Sequence, residues 1–255
     1  MPLSVRLRWL PKAGHRDHEY EDACWPETSS GQQGSFLRCA VTDGATESAF
    51  AGAWARQLAR AWGQGRLESG DLAAGLAGEQ AAWQAAVGAQ PLPWYAEEKA
   101  RSGAFAALLG VTVDTRDPEQ AGWQAFAVGD CALFHVRGNT LVQSFPAEDA
   151  AFFTGSPVLI SSLPQRNGAV AENLHLAAGA LRIGDRLYLV TDALGQHLLQ
   201  AVKAGAVPWA ALDRALAGRR RNFAAWIDAL RAEGALRNDD VTVLRVAWVS
   251  VGAAG

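Results

Sequence analysis

The sequence predicts an α+β domain in which long antiparallel sheets are covered by helices. Three observations carry this reading. The middle of the chain is rich in short alternating runs broken by Gly, Asn and Asp turns. The element order is strands, two helices, many strands, two helices and a last strand. That order lacks the regular strand–helix alternation of a doubly wound parallel sheet. Apolar residues make up 49% of the 255 residues, enough for a substantial core. The length suits one large domain or two small ones, and we read 1–255 as a single domain.

The elements follow in order. Val5, Leu7 and Trp9 alternate with Arg6 and Arg8, a half-buried strand over about 4–9. A polar loop rich in His and acidic residues covers 12–22, and 31–35 reads as a Gly/Gln/Ser turn. A strand at 36–42 ends in Asp43-Gly44. Phe50, Trp54, Leu58 and Trp62 then recur every four residues, one face of a helix. Glycines at 63–70 break it, and Asp71 caps a second helix to about residue 87. A loop with Pro91 and Pro93 leads to a short helix at 94–101. Strands are expected at 105–113, 123–128 and 131–136, the last two joined by the hairpin signal Gly129-Asp130. Gly138-Asn139 turns the chain into 140–144. The stretch 145–174, with Pro146, Pro157 and Pro164, reads as an irregular excursion from the core, a flap. Strands return at 175–181 and 186–191. Helices follow at 193–203 and 208–233, the second broken near Gly218, and 241–249 is the final strand.

Composition excludes several functions. Lys plus Arg is 23 against 26 for Asp plus Glu, a net charge of -3, so no basic face for nucleic acid is expected. No apolar run reaches the roughly 18 residues of a membrane span, and the N-terminus lacks the apolar stretch of a signal peptide. We expect a cytoplasmic monomer. Cys24, Cys39 and Cys131 form no Cys-x-x-Cys pair and read as reduced structural thiols. There is no Gly-x-Ser-x-Gly elbow and no Walker loop. His15, His18 and Cys24 lack a second close pair of ligands for zinc. His135, His175 and His197 read as packing or surface residues. The tryptophans of the 50–62 stripe read as core. Arg219-Arg220-Arg221 is a solvated helix end, with a docking patch for acidic partners as its functional alternative.

Acidic residues stand where strands or loops end: Glu21-Asp22, Asp43, Asp130, Asp192 and Asp239-Asp240. Hard cations such as Mg²⁺ and Mn²⁺ take carboxylate, carbonyl and water oxygens. A two-metal site needs several carboxylates converging from different strands. Each position also has an ordinary structural explanation as a turn or helix cap.

Taken together and in order, these segments resemble the metal-dependent protein phosphatases of the 2C type, the PPM family, in its bacterial form. Glu21-Asp22-Ala23 resembles the first motif, an acidic pair and a small residue. Ala40-Val41-Thr42-Asp43-Gly44 resembles the strand ending in Asp-Gly. Val128-Gly129-Asp130-Cys131 resembles the Val-Gly-Asp-Ser hairpin. Leu189-Val190-Thr191-Asp192-Ala193-Leu194 resembles the strand ending in Thr-Asp-Gly-Leu. Asp239-Asp240-Val241-Thr242 resembles the last motif, Asp-Asn/Asp-x-Thr.

The resemblance implies a four-layer αββα sandwich of two antiparallel sheets flanked by helices, with metals in a cleft at one end. It implies two Mn²⁺ or Mg²⁺ ions and a weaker third. Asp43 would bridge the two, and the Gly44 carbonyl would bind one of them with Asp22 or Glu21. Asp192 and Asp239 would hold the other, and Asp130 would serve the third. A water between the metals would be the nucleophile, so Asp43, Asp192 and Asp239 would act through it. The implied reaction is hydrolysis of phosphoserine or phosphothreonine on proteins, in signalling with a Ser/Thr kinase. The alternative is a phosphatase-like binding module with weak or lost catalysis. The chain departs from the family at Ala45-Thr46-Glu47-Ser48, which offers no His as general acid, and at Gly103-Ala104-Phe105. Ala193 stands where the family has Gly. Arg16 lies near, but out of register with, the phosphate-binding Arg of the animal enzymes.

Overall fold

The computed structural model of the protein describes residues 2–46, 48, 50–88 and 102–249; the helix expected at 94–101 lies outside them. Twelve strands form two antiparallel sheets. The first sheet runs β3 (Ser30–Gln33), β1 (Leu3–Leu10), β12 (Val241–Trp248), β11 (Arg186–Val190), β7 (Ala132–Arg137), β8 (Thr140–Phe145). The second runs β10 (His175–Ala180), β6 (Gly122–Val128), β5 (Phe105–Asp114), β4 (Phe36–Gly44), β2 (Ala23–Trp25), with the short β9 (Ile160–Ser161) also on β5.

Period-2 alternation decides which side chains face which layer. Leu3, Val5 and Leu7 of β1, Leu187 and Leu189 of β11, and Leu244 and Val246 of β12 point inward from the first sheet. They meet Cys39, Val41, Leu109, Val111 and Val113 of the second, a shared core between the sheets. The opposite face of the first sheet, with Phe134, Tyr188, Val190 and Val243, is covered by α3 (Asp192–Lys203), α4 (Trp209–Ala217) and α5 (Arg220–Ala232). The opposite face of the second is covered by α1 (Ala51–Gly63) and α2 (Leu72–Gly88). The result is the four-layer αββα sandwich. Trp54 and Trp62 are buried in the α1 seam, as the four-residue stripe predicts. The Asp71 carboxylate accepts the N–H of Ala74 at the start of α2.

Three strands differ from the sequence reading: β2 and β9 have no counterpart in it, and β3 falls where it has a turn. The stretch read as a turn at 31–35 holds a strand, β3, paired antiparallel with β1. An edge strand is held by backbone hydrogen bonds and needs no apolar pattern, so a Gly/Gln/Ser segment can form one. The 145–174 excursion contains two 3-10 turns and β9. It is pinned where buried Ile160 pairs with Ala106 and its carbonyl accepts from Trp54 Nε1 at 2.9 Å. Among the described residues no helix is long and apolar enough to cross a membrane. Cys24, Cys39 and Cys131 are buried and free.

Candidate metal centre

Strand register brings the acidic residues to one end of the sandwich. Ala23 pairs with Thr42, so Asp22 and Asp43 leave β2 and β4 side by side. Val190 lies between Val243 of β12 and Ala132 of β7. Asp192 therefore emerges between the loop carrying Asp239 and the hairpin carrying Asp130. The hairpin must lie close to β5: Gly129 has φ +95°, and a Cβ there would stand 2.4 Å from the Ala107 methyl. Gly44 is equally constrained, since its Cβ would stand 2.6 Å from the Glu21 carbonyl oxygen.

Asp43, Asp130 and Asp192 each bring a carboxylate oxygen within 4.8 Å of the others. Asp22 is fully buried beside them, its Oδ2 accepting the Thr242 hydroxyl at 2.7 Å. Burial, then the charges of Asp22, Asp130 and Asp239, push the Asp43 carboxyl well above its usual range, with Arg237 opposing. Asp22 is raised well by burial and by Asp240, against hydrogen bonds from Thr242 and Thr191. Asp130 is raised chiefly by burial. Carboxylates that repel one another in a buried cleft are a donor set short of positive charge. All are hard oxygens, which suits Mg²⁺ or Mn²⁺ and not a soft metal.

Of the sequence candidates, the structure therefore gathers Asp22, Asp43, Asp130, Asp192 and Asp239. Glu21 is set apart: its carboxylate hydrogen-bonds Thr46, and burial raises it. The Ala193 departure is accommodated. Thr191 holds the N-cap position of α3 without a side-chain cap hydrogen bond, Asp192 opens the helix, and Ala193 sits buried in its first turn. Phe50 is the one non-glycine residue at positive φ among those described, so position 193 does not require Gly. Cys131, where the family motif has Ser, lies buried near Asp43. Burial and the neighbouring carboxylates push its thiol well up, so without metal it is a neutral thiol. His15 and His18 are exposed, and Cys24 turns its sulfur to the Pro26 carbonyl, so no zinc site assembles there.

Three residues have roles that sequence reasoning missed. Asp240 is a clamp: its two oxygens accept the backbone N–H groups of Lys12 (2.8 Å) and Glu21 (2.7 Å). Tyr20 contacts the Thr242 hydroxyl. Arg237 reaches into the cluster, with Nη2 on Asp192 and Nε 3.4 Å from Asp239. A basic residue two positions before Asp239, in the loop ahead of β12, was the available signal for it. Arg220 forms a two-pronged pair with Asp17 (2.8 and 2.7 Å) and lies over Trp9, which fits the solvated helix end.

No protein-family model and no curated protein sequence matches this chain. Solved structures do. The *Mycobacterium tuberculosis* serine/threonine phosphatase PstP/Ppp aligns over 98% of this chain and 100% of its own, with TM-score 0.60 and 16% identity. The PstP catalytic domain in complex with two manganese ions aligns over 97% and 100%, with TM-score 0.56 and 16% identity. The PPM Ser-Thr phosphatase MsPP of *Mycobacterium smegmatis*, in complex with cacodylate, aligns over 97% and 98%, with TM-score 0.51 and 13% identity. At such identities the likeness is one of fold, and it spans the sandwich from end to end. The resemblance read from the five acidic motifs holds at this level: the chain has the fold of the metal-dependent protein phosphatases of the 2C type.

Proposed function

We propose that this chain hydrolyses phosphoserine and phosphothreonine on proteins, using two Mn²⁺ or Mg²⁺ ions held at the end of the sandwich. The observation that carries the proposal is the convergence of Asp43, Asp130 and Asp192 oxygens within 4.8 Å of one another, with Asp22 and Asp239 close enough to raise Asp43 further. In this reading Asp43, Asp22, the Gly44 carbonyl, Asp192 and Asp239 would hold the two ions, and Asp130 would serve a weaker third. Bound divalent ions supply a water of lowered pKa and neutralise phosphoryl oxygens.

The chain's own residues do the rest. Thr242 and Thr191 orient Asp22 through hydrogen bonds. Asp240 fixes the backbone at Lys12 and Glu21, which sets where Asp22 enters. The segment Ala45-Thr46-Glu47-Ser48 offers no His as general acid, and His135 and His197 face other partners, so the leaving alcohol is assigned its proton from water. The substrate is a phosphorylated protein from a Ser/Thr kinase system.

The test is turnover of p-nitrophenyl phosphate and of a phosphothreonine peptide with Mn²⁺, Mg²⁺ or chelator. We expect metal-dependent hydrolysis, abolished by Asp43→Asn or Asp192→Asn. A folded wild-type protein with no metal-dependent turnover would leave a binding module instead.

A further inference from the structure

Arg237 is a cation set among residues proposed to bind cations. Its Nη2 is paired with Asp192 Oδ2 and its Nε lies 3.4 Å from Asp239 Oδ2. Nη1 points to the Phe153 carbonyl at 3.4 Å, on the 3-10 turn Ala150–Thr154 of the excursion. Phe153 is itself held against α3, where a Cβ on Gly195 would collide with its ring at 2.7 Å. The Arg237 charge acts on Asp43 and Asp130 as well as on its two direct partners. Its side chain is 36% exposed, so it stands at the edge of the cluster and is not sealed within it.

Two consequences follow from charge and shape. A guanidinium on Asp192 and Asp239 holds the same oxygens a divalent ion would take, so the two cations compete. Once those oxygens are taken by metal, the planar fork lacks its anionic partners and stands at the rim of the cleft. A phosphoryl dianion has the geometry such a fork accepts in two-pronged fashion. Arg16 lies exposed on the N-terminal loop, its backbone N–H donating to Glu19.

We propose that Arg237 is the phosphoryl-binding residue of this site, masked by Asp192 and Asp239 until metal binds. The inference rests on the two-metal reading above. It assigns the substrate-holding positive charge to the loop before β12, not to the N-terminal loop.

The experiment is calorimetry on Arg237→Gln, Arg237→Lys and Arg16→Gln beside the wild type, first with Mn²⁺ and then with inorganic phosphate on Mn²⁺-loaded protein. Arg237→Gln should bind Mn²⁺ about 5- to 10-fold more tightly, the gain expected when a competing partner is removed. It should bind phosphate about 10-fold or more weakly, since the charge-assisted fork is gone. Arg237→Lys, which keeps the charge but not the fork, should fall between on both measures. Arg16→Gln should move neither. Unchanged or weaker Mn²⁺ binding in a folded Arg237→Gln protein overturns the masking. Unchanged phosphate binding, or an equal loss in Arg16→Gln, overturns the assignment. Should Arg237→Gln not fold, a Lys variant matching wild type on both measures overturns it as well. A wild type that binds no Mn²⁺ and turns nothing over sinks the two-metal reading itself, and this inference with it. A wild type that does both while Arg237→Gln behaves identically sinks the inference alone.

Discussion

Strand β11 carries an aspartate at each end, and the two have opposite surroundings. Asp185, just before it, is 1% exposed and fully answered by the chain. It accepts from Arg137 Nε (2.8 Å) and Nη2 (2.7 Å), from the N–H of Arg182 (2.8 Å), and pairs with His135 Nε2 (2.9 Å). Trp123 Nε1 donates to the other nitrogen of His135 at 3.3 Å, which makes Nε2 the protonated one. Asp192, just past the far end, faces Asp43 and Asp130, and Arg237 alone among its direct partners brings positive charge. The difference is a way to tell the purposes of buried carboxylates apart. One that serves folding comes with its donors in the same chain, because an unanswered buried charge costs several kcal/mol. One that serves an external cation is left short of them.

Charge removal should therefore act in opposite directions at the two ends. The largest expected effect is Asp43→Asn, which should lower metal-dependent hydrolysis by about 10³-fold or more, roughly 4 kcal/mol of barrier. Melted in chelator, the same variant should be more stable than wild type, because the burial and carboxylate repulsion that push the Asp43 carboxyl up are relieved. Asp185→Ala should do the reverse. It strands Arg137 and His135 and should cost about 3 kcal/mol of stability, while the metal dependence of turnover stays as in wild type. Thermal melts with and without Mn²⁺ check both. A destabilised Asp43→Asn in chelator would mean that the cluster is held by internal donors after all, and the contrast between the two ends would collapse.

The two ends were unequally legible. Asp43, Asp130, Asp192 and Asp239 could be picked out because each ends an apolar strand or opens a turn, which period and turn chemistry reveal in one dimension. Asp185 stands in a similar turn, at Gly184-Asp185; the Arg182 N–H is a local partner, but nothing local marks Arg137 and His135, which come from β7. Strand register across the sheet brings them together, and register is not written in any one segment. The same reason hid Arg237, whose partner Asp192 lies on another element, and Asp240, whose oxygens hold backbone 219 and 228 positions away in the chain. β3 escaped because backbone pairing at a sheet edge leaves no apolar trace. The layered fold was legible because β1 alternates, with one face to bury, while β11 and β12 are near-continuous apolar runs that need both faces covered.

Asp240 tests whether the clamp behind the cluster matters to the cluster. Asp240→Asn keeps its size but gives up charge-assisted hydrogen bonds to the N–H groups of Lys12 and Glu21. Losses of supporting contacts of this kind typically weaken metal affinity 10- to 100-fold. We expect about 10-fold weaker Mn²⁺ binding by calorimetry, with about 1 kcal/mol of stability lost. Equal Mn²⁺ affinity in a folded variant would show that Asp22 is held by Thr242 and Thr191 without help from the clamp.

The smallest effect is one of pH, and it isolates the Asp185 end. Burial alone would raise this carboxyl, but the hydrogen bonds from Arg137, His135 and the Arg182 N–H outweigh it and hold it below its ordinary value. A folded pKa below the unfolded value means that the unfolded chain binds the proton first. The stability Asp185 contributes is then fully present above the unfolded pKa of about 3.9 and is lost as pH falls through the folded one. Urea unfolding of wild type and Asp185→Asn in chelator should show a constant gap between about pH 5 and 7 that narrows below about pH 4. The acidic cluster at the other end is common to both proteins, so its own titration cancels in that difference. A gap that does not change with pH would show that shape and neutral hydrogen bonds, rather than the Asp185 charge, hold that end of β11.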